Sequence, residues 1–192
     1  GIALRHPTVG PEPVAYPDAG GAWTDLVAGG EGALYYYAFS GRFTGDGKPV
    51  YAAPTPVLQQ DTALYAGTLP VPNMVDWDGD GALDIVSGNS EGRVLWFRNM
   101  GGNAAPAFAP GVALVADGQP IHVQAGYRGS IQGPGEARWG YTCPTVADWD
   151  GDGMPDLLMS DITARHTVFL NGGTRTAPAL AAGRPLYHDG LA

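Results

Sequence analysis

Two nearly identical loops, Asp76-Trp77-Asp78-Gly79-Asp80-Gly81-Ala82-Leu83-Asp84 and Asp148-Trp149-Asp150-Gly151-Asp152-Gly153-Met154-Pro155-Asp156, lie 72 residues apart. Each opens a longer repeat, residues 75–114 and 147–186. Both repeats run in one order: acidic loop, short apolar strand, polar turn, apolar strand, an Asn with a Gly-Gly pair nearby, an Ala-Pro segment and a final Leu. Repetition at this period restricts a chain to a few architectures of stacked supersecondary units.

A fainter third copy precedes them. Trp23-Thr24-Asp25-Leu26-Val27-Ala28-Gly29 matches the end of a loop and its strand, and residues 33–39 match the second strand. Residues 53–58 resemble the closing segment. Aligned on Asp25, the first, third and fifth loop positions become Pro17, Ala19 and Gly21, so no metal site is expected there.

No stretch of a dozen residues keeps helical apolar spacing without a Gly or Pro breaking it. Strand signals recur instead, at 83–87, 93–98, 112–115, 121–125, 157–160 and 166–170. The reading is all-β, with about three recognisable four-stranded propeller blades. They divide as a degenerate blade at about 16–66, a calcium blade at about 70–115, an inserted loop at about 117–142 and a calcium blade at about 143–187. Propellers typically close with about 4–8 blades, and raw sheet edges invite pairing. The chain is therefore expected to be part of a larger propeller, or to close by association with other blades or with copies of itself.

In the spacing DxDxDGxxD the carboxylates fall at positions 1, 3, 5 and 9. The Gly at position 6 permits a sharp turn, and the carbonyl at position 7 can face an ion. Ca²⁺ takes six to eight oxygen ligands at about 2.3–2.6 Å. The candidate ligands are Asp76, Asp78, Asp80, the Ala82 carbonyl and Asp84 in one loop, and Asp148, Asp150, Asp152, the Met154 carbonyl and Asp156 in the other. Two Ca²⁺ ions are expected, and both read as structural. Mg²⁺ prefers fewer protein ligands, and Zn²⁺ prefers His and Cys, which neither loop contains. The start of each loop resembles the helix-loop-helix calcium motif, but position 12 is Ser87 or Met159 rather than Glu, and strands follow.

Charge supports a local reading of the acidity. Eight of the nineteen Asp and Glu lie in the two loops, and they account for most of the net charge of −9. The ten Lys and Arg are scattered, which argues against nucleic acid. No apolar run approaches a membrane span. Gly (30) and Pro (17) are abundant, but 44% hydrophobic content points to many turns rather than disorder. The lone Cys143 excludes an internal disulfide and reads as a small buried hydrophobe. The chain begins with Gly and shows no signal peptide, so it reads as a processed product or a piece of something longer.

The two acidic loops and the strands after them resemble the FG-GAP/VCBS-type repeat family, the calcium-bearing blades of integrin-like propellers and of many secreted bacterial proteins. The resemblance covers about 16–114 and 140–187. It implies a β-propeller, Ca²⁺ in the blade loops, and an extracellular, periplasmic or cell-surface setting. It does not imply one activity, since members serve adhesion, carbohydrate binding and as scaffolds of some polysaccharide lyases.

Residues 117–142 are the richest candidate surface, with His122, Tyr127, Arg128, Glu136, Arg138, Trp139 and Tyr141. Loops on rigid scaffolds often carry function. The leading expectation is a non-catalytic, calcium-stabilised module that binds glycans or a protein partner. One alternative is a propeller-scaffold polysaccharide lyase or hydrolase acting on acidic sugars, which requires Tyr127, Tyr141 or His122 to converge with Arg138 in one cleft. The other is a purely structural, self-assembling repeat. Tyr35-Tyr36-Tyr37 reads as core packing and His166 as a solvent-side or packing residue rather than a ligand, and no partner is assigned to His6 or His188.

Overall fold

The computed structural model describes residues 12–60, 62–130 and 132–187. His6 and His188 lie outside them. The chain is all-β, built around three four-stranded antiparallel sheets, each a simple meander in chain order. The first contains β1 (Pro13–Tyr16), β2 (Asp25–Ala28), β3 (Tyr35–Tyr37) and β4 (Thr55–Pro56). The second contains β5 (Val71–Val75), β6 (Asp84–Gly88), β7 (Val94–Phe97) and β8 (Val112–Ala113). The third contains β9 (Cys143–Ala147), β10 (Asp156–Ser160), β11 (His166–Phe169) and β12 (Arg184–Pro185). Each sheet coincides with one sequence repeat. Among the described residues, no sheet closes on itself.

The sheets stack face to face because strand alternation gives each one two distinct apolar faces. Ile85 and Phe97 of the second sheet turn toward Tyr16, Val27, Leu34 and Val57 of the first. Val86 and Val94, on the opposite face of the second sheet, meet Leu157, Met159 and Phe169 of the third. Burial of these faces supplies the main stabilising term, about 1.5–3 kcal/mol for each fully buried large aliphatic or aromatic side chain. The first strands of successive sheets run side by side. There the Asn73 side chain donates to the Pro144 carbonyl at 2.9 Å and accepts from the Val146 N–H at 3.4 Å. Gly88 lies so close to the Thr142 carbonyl, 2.1 Å from where a Cβ would stand, that no side chain fits there.

Two sequence expectations need correcting. Residues 121–125 do not form a strand. Ile121 and Val123 donate to the single carbonyls of Leu114 and Gly92, and only His122 forms a bridge, with Arg93. Nearby, Val115–Ala116 and Gln119–Pro120 pair as a minimal hairpin. Cys143 is exposed rather than buried, because among the described residues no further sheet packs on that face of β9.

Candidate metal centres

The acidic loops follow β5 and β9 directly, so the first strand of each sheet delivers them to the same end of the structure. Positive φ at positions 4 and 6 lets the chain curl back: 73° and 90° at Gly79 and Gly81, and 80° and 88° at Gly151 and Gly153. Loop N–H groups then bond the first carboxylate. Gly81 donates to Asp76 Oδ2 at 3.2 Å, and Gly153 to Asp148 Oδ2 at 3.0 Å. Ala82 and Met154 each donate to the Asp two residues earlier, at 2.9 and 2.8 Å.

Carboxylate oxygens of Asp76, Asp78 and Asp80 lie within 4.8 Å of one another, as do those of Asp148, Asp150 and Asp156. Oxygens around one Ca²⁺ sit at most about 5 Å apart, twice the ~2.3–2.6 Å bond length. Asp78 is 7% exposed, and neither its Oδ1 nor Asp76 Oδ1, both shielded from solvent, has a hydrogen-bond partner. Buried carboxylate oxygens left unpaired are costly, and a bound cation would resolve both. The residues therefore fit a hard cation, and both clusters could hold one.

Asp84 sits apart from the first cluster. Its Oδ1 accepts from the Asn99 N–H at 2.7 Å, and its Oδ2 from the Trp96 indole at 2.8 Å and the Trp77 N–H at 3.3 Å. Burial pushes its carboxyl up to about 6, against the pull of the Asn99 and Trp96 donors. Asp156 repeats the pattern, accepting from Asn171 N–H at 2.7 Å and Trp149 N–H at 2.8 Å. So does Asp25 in the degenerate copy, where the Phe39 N–H donates at 2.7 Å and the Tyr36 hydroxyl also bonds. A role shared by all three sheets, including the one with no acidic loop, is a structural one. This carboxylate ties the start of the second strand to the end of the third.

Several residues at these sites went unread in the sequence. Arg98 Nε lies 2.6 Å from Asp78 Oδ2, and its Nη2 lies 3.2 Å from Asp80 Oδ2. Arg175, from the third sheet's closing segment, donates to the Asp76 carbonyl at 2.8 Å and to its Oδ2 at 2.9 Å. The signal for Arg98 was available, since it stands two residues past Trp96 at a strand end, where the other repeat has Leu170. Among the described residues, no Lys, Arg or His pairs with an acid of the second loop. Asn99 and Asn171 serve as turn hubs. The Asn99 Oδ1 accepts from Gly101, Gly102 and Ala107, and the Asn171 Oδ1 from Gly173 and Ala179. In the degenerate loop, Asp18 accepts from the Gly20 and Ala22 N–H groups and the Thr24 hydroxyl. Its pKa is lowered, mainly by the Ala22 N–H.

The 117–142 segment places His122 and Tyr141 in different clefts. His122 lines a cleft with Gln119, Phe169 and Gly183, whereas Tyr141 lines another with Glu12, Asn89 and Cys143. Tyr127 stands 78% exposed on a single helical turn, Gly126–Gly129. Tyr141 donates to Glu136 at 3.1 Å and stands 6.3 Å from the Trp139 ring. The Arg138 main-chain carbonyl accepts from the Gln124 side chain at 3.3 Å. His122 and Tyr141 thus line separate clefts.

Fold and site thus define an all-β repeat chain with two acidic clusters able to hold metal ions. Comparison with family models, curated proteins and solved structures finds no match to this chain.

Proposed function

We propose that this chain is a calcium-stabilised recognition module, its three sheets acting as propeller blades and its two ions holding the blade loops in shape. The reading rests on one observation above others: the solvent-shielded Asp76 Oδ1 and Asp78 Oδ1 lack hydrogen-bond partners inside an acidic cluster, in a loop that the next sheet repeats. Calcium suits the oxygen-only donor set better than zinc. When bound it supplies positive charge and a rigid loop. The chain's own residues orient the carboxylates and, through Trp77 and the strand-linking Asp84, anchor the loop to the core.

Such loops suit the millimolar calcium outside cells, which favours an extracellular, periplasmic or surface setting. Glycans or proteins are the partners, with the exposed Tyr127 and the Trp139–Tyr141 pair offering aromatic faces for them. Trp77 and Trp149 stand second in the two loops, so terbium luminescence sensitised through tryptophan tests the metal reading. Emission that calcium competes away is the expected result. Silence with intact folded protein rejects it.

A further inference from the structure

We propose that the cavity between the first and second sheets is a binding site for a small, flat, uncharged aromatic molecule. The inference goes beyond the calcium reading and does not depend on it. It rests on comparing the junction of the first two sheets with the junction of the second and third.

The two junctions are built from equivalent residues. Val27, Val57 and Phe108 at the first correspond to Val86, Leu114 and Leu180 at the second. Two large side chains complete the second junction. Trp77, second in its loop, is 2% exposed within that cluster. Arg175 crosses to Asp76. The first junction lacks both. Aligned on Asp25, the position of Trp77 is held by Asp18, which turns to the N–H groups of its own loop. The position of Arg175 is held by Asn103, whose side chain bonds Gly81 and Leu83 in the loop of its own sheet. A cavity of about 320 Å³ remains, lined by Pro17 and Ala19 on either side of Asp18 and by Asn103 itself.

The walls define what fits. Tyr16, Val27, Val57 and Phe108 are buried along the cavity and make it apolar and aromatic. Tyr16 and Tyr36 stand edge to face, with centroids 6.1 Å apart and planes at 88°, a corner that a third ring can complete. Both hydroxyls already donate, Tyr16 to the Asn103 carbonyl at 3.3 Å and Tyr36 to Asp25. They keep acceptor capacity, which suits a ring N–H or O–H. Among the described residues that line the cavity, none carries a charged side chain, so a charged ligand would lose water without gaining a partner. Ala19, Thr55 and Ala104 are exposed, so the mouth opens to solvent. The volume falls within the range of about 300–1,000 Å³ seen for small-molecule sites. At the next junction the fold itself sets an indole, Trp77, at this position. An indole-like ring is therefore the fitting class.

A ligand-observed NMR titration of the full chain with indole tests the proposal. Saturable binding with a Kd of about 1 mM or tighter is expected. Asp18→Trp restores the residue of the other two loops, and Ala104→Phe covers the mouth from the second sheet. Each should weaken indole binding about tenfold or more in protein that melts like wild type, and the pair of variants guards against one of them failing to fold. N-methylquinolinium, a flat fused ring with a fixed charge, should bind about tenfold more weakly than indole or worse. No saturable indole binding to the folded wild type overturns the proposal. So does binding left unchanged in a folded variant, which puts the ring elsewhere. Equal binding of N-methylquinolinium and indole overturns the uncharged class of ligand.

Discussion

The loop at 76–84 and the loop at 148–156 have almost the same sequence but different surroundings. The first is enclosed by the next sheet, its acids held by Arg98 and Arg175. The second faces solvent, and among the described residues it has no arginine partner. The degenerate loop at 17–25 is a third solution, in which Asp18 bonds the turn's own N–H groups and hydroxyl. Four carboxylates in nine residues repel one another; the fold sets guanidinium beside the first loop, and among the described residues it sets none beside the second. A loop without the acids closes with hydrogen bonds alone. The lesson is that a ligand motif sets the potential of a site, and the neighbouring sheet sets how much of that potential remains for an ion.

The largest expected effect is calcium removal. A ligand bound only to the folded state at a thousand times its Kd adds about 4 kcal/mol, so chelation should lower the melting temperature by several degrees, as calorimetry would record. A chain that melts identically with and without calcium would erase the distinction between the loops.

Next come the strand-linking carboxylates. Asp25→Ala, Asp84→Ala and Asp156→Ala each strand buried donors, for a loss of about 3 kcal/mol in denaturant unfolding. The loss should persist in chelator. Asp25→Ala is the sharpest of the three, because its loop lacks the acids. If it is neutral while Asp84→Ala matters only with calcium present, Asp84 is a ligand and not a structural tie.

Arg98→Leu copies Leu170 to the equivalent position beside the first loop. Removing a competing cation should tighten calcium binding there by about tenfold, or about 1.4 kcal/mol, and leave the second loop unchanged in a calorimetric titration. Weaker binding would mean that Arg98 orients the carboxylates and does not compete for them. Asp18→Ala should have the smallest effect, a slight loss of thermal stability that calcium does not alter.

The repeat, the all-β class and the position of the acidic loops were legible in the sequence, because they depend on local alternation and turn chemistry. Even the decayed copy could be found from Asp25 and its strand. What was not legible is what one sheet does to the next. Arg175 acts on a loop 99 residues earlier, and no spacing rule reaches that far. Cys143 looked buried by composition, but among the described residues no sheet packs on its face of β9. Asp84 and Asp156 looked like ligands from position alone. Only the donors from Asn99 and Asn171 show that each is also a structural tie.

The most direct test of the account is a calorimetric calcium titration of the wild-type chain, repeated on Asp148→Asn/Asp150→Asn and on Asp76→Asn/Asp78→Asn. Two ions in two steps are the expected result, the tighter lost with the second loop and the weaker with the first. No heat in the wild type, or two ions retained in both double variants, would contradict it.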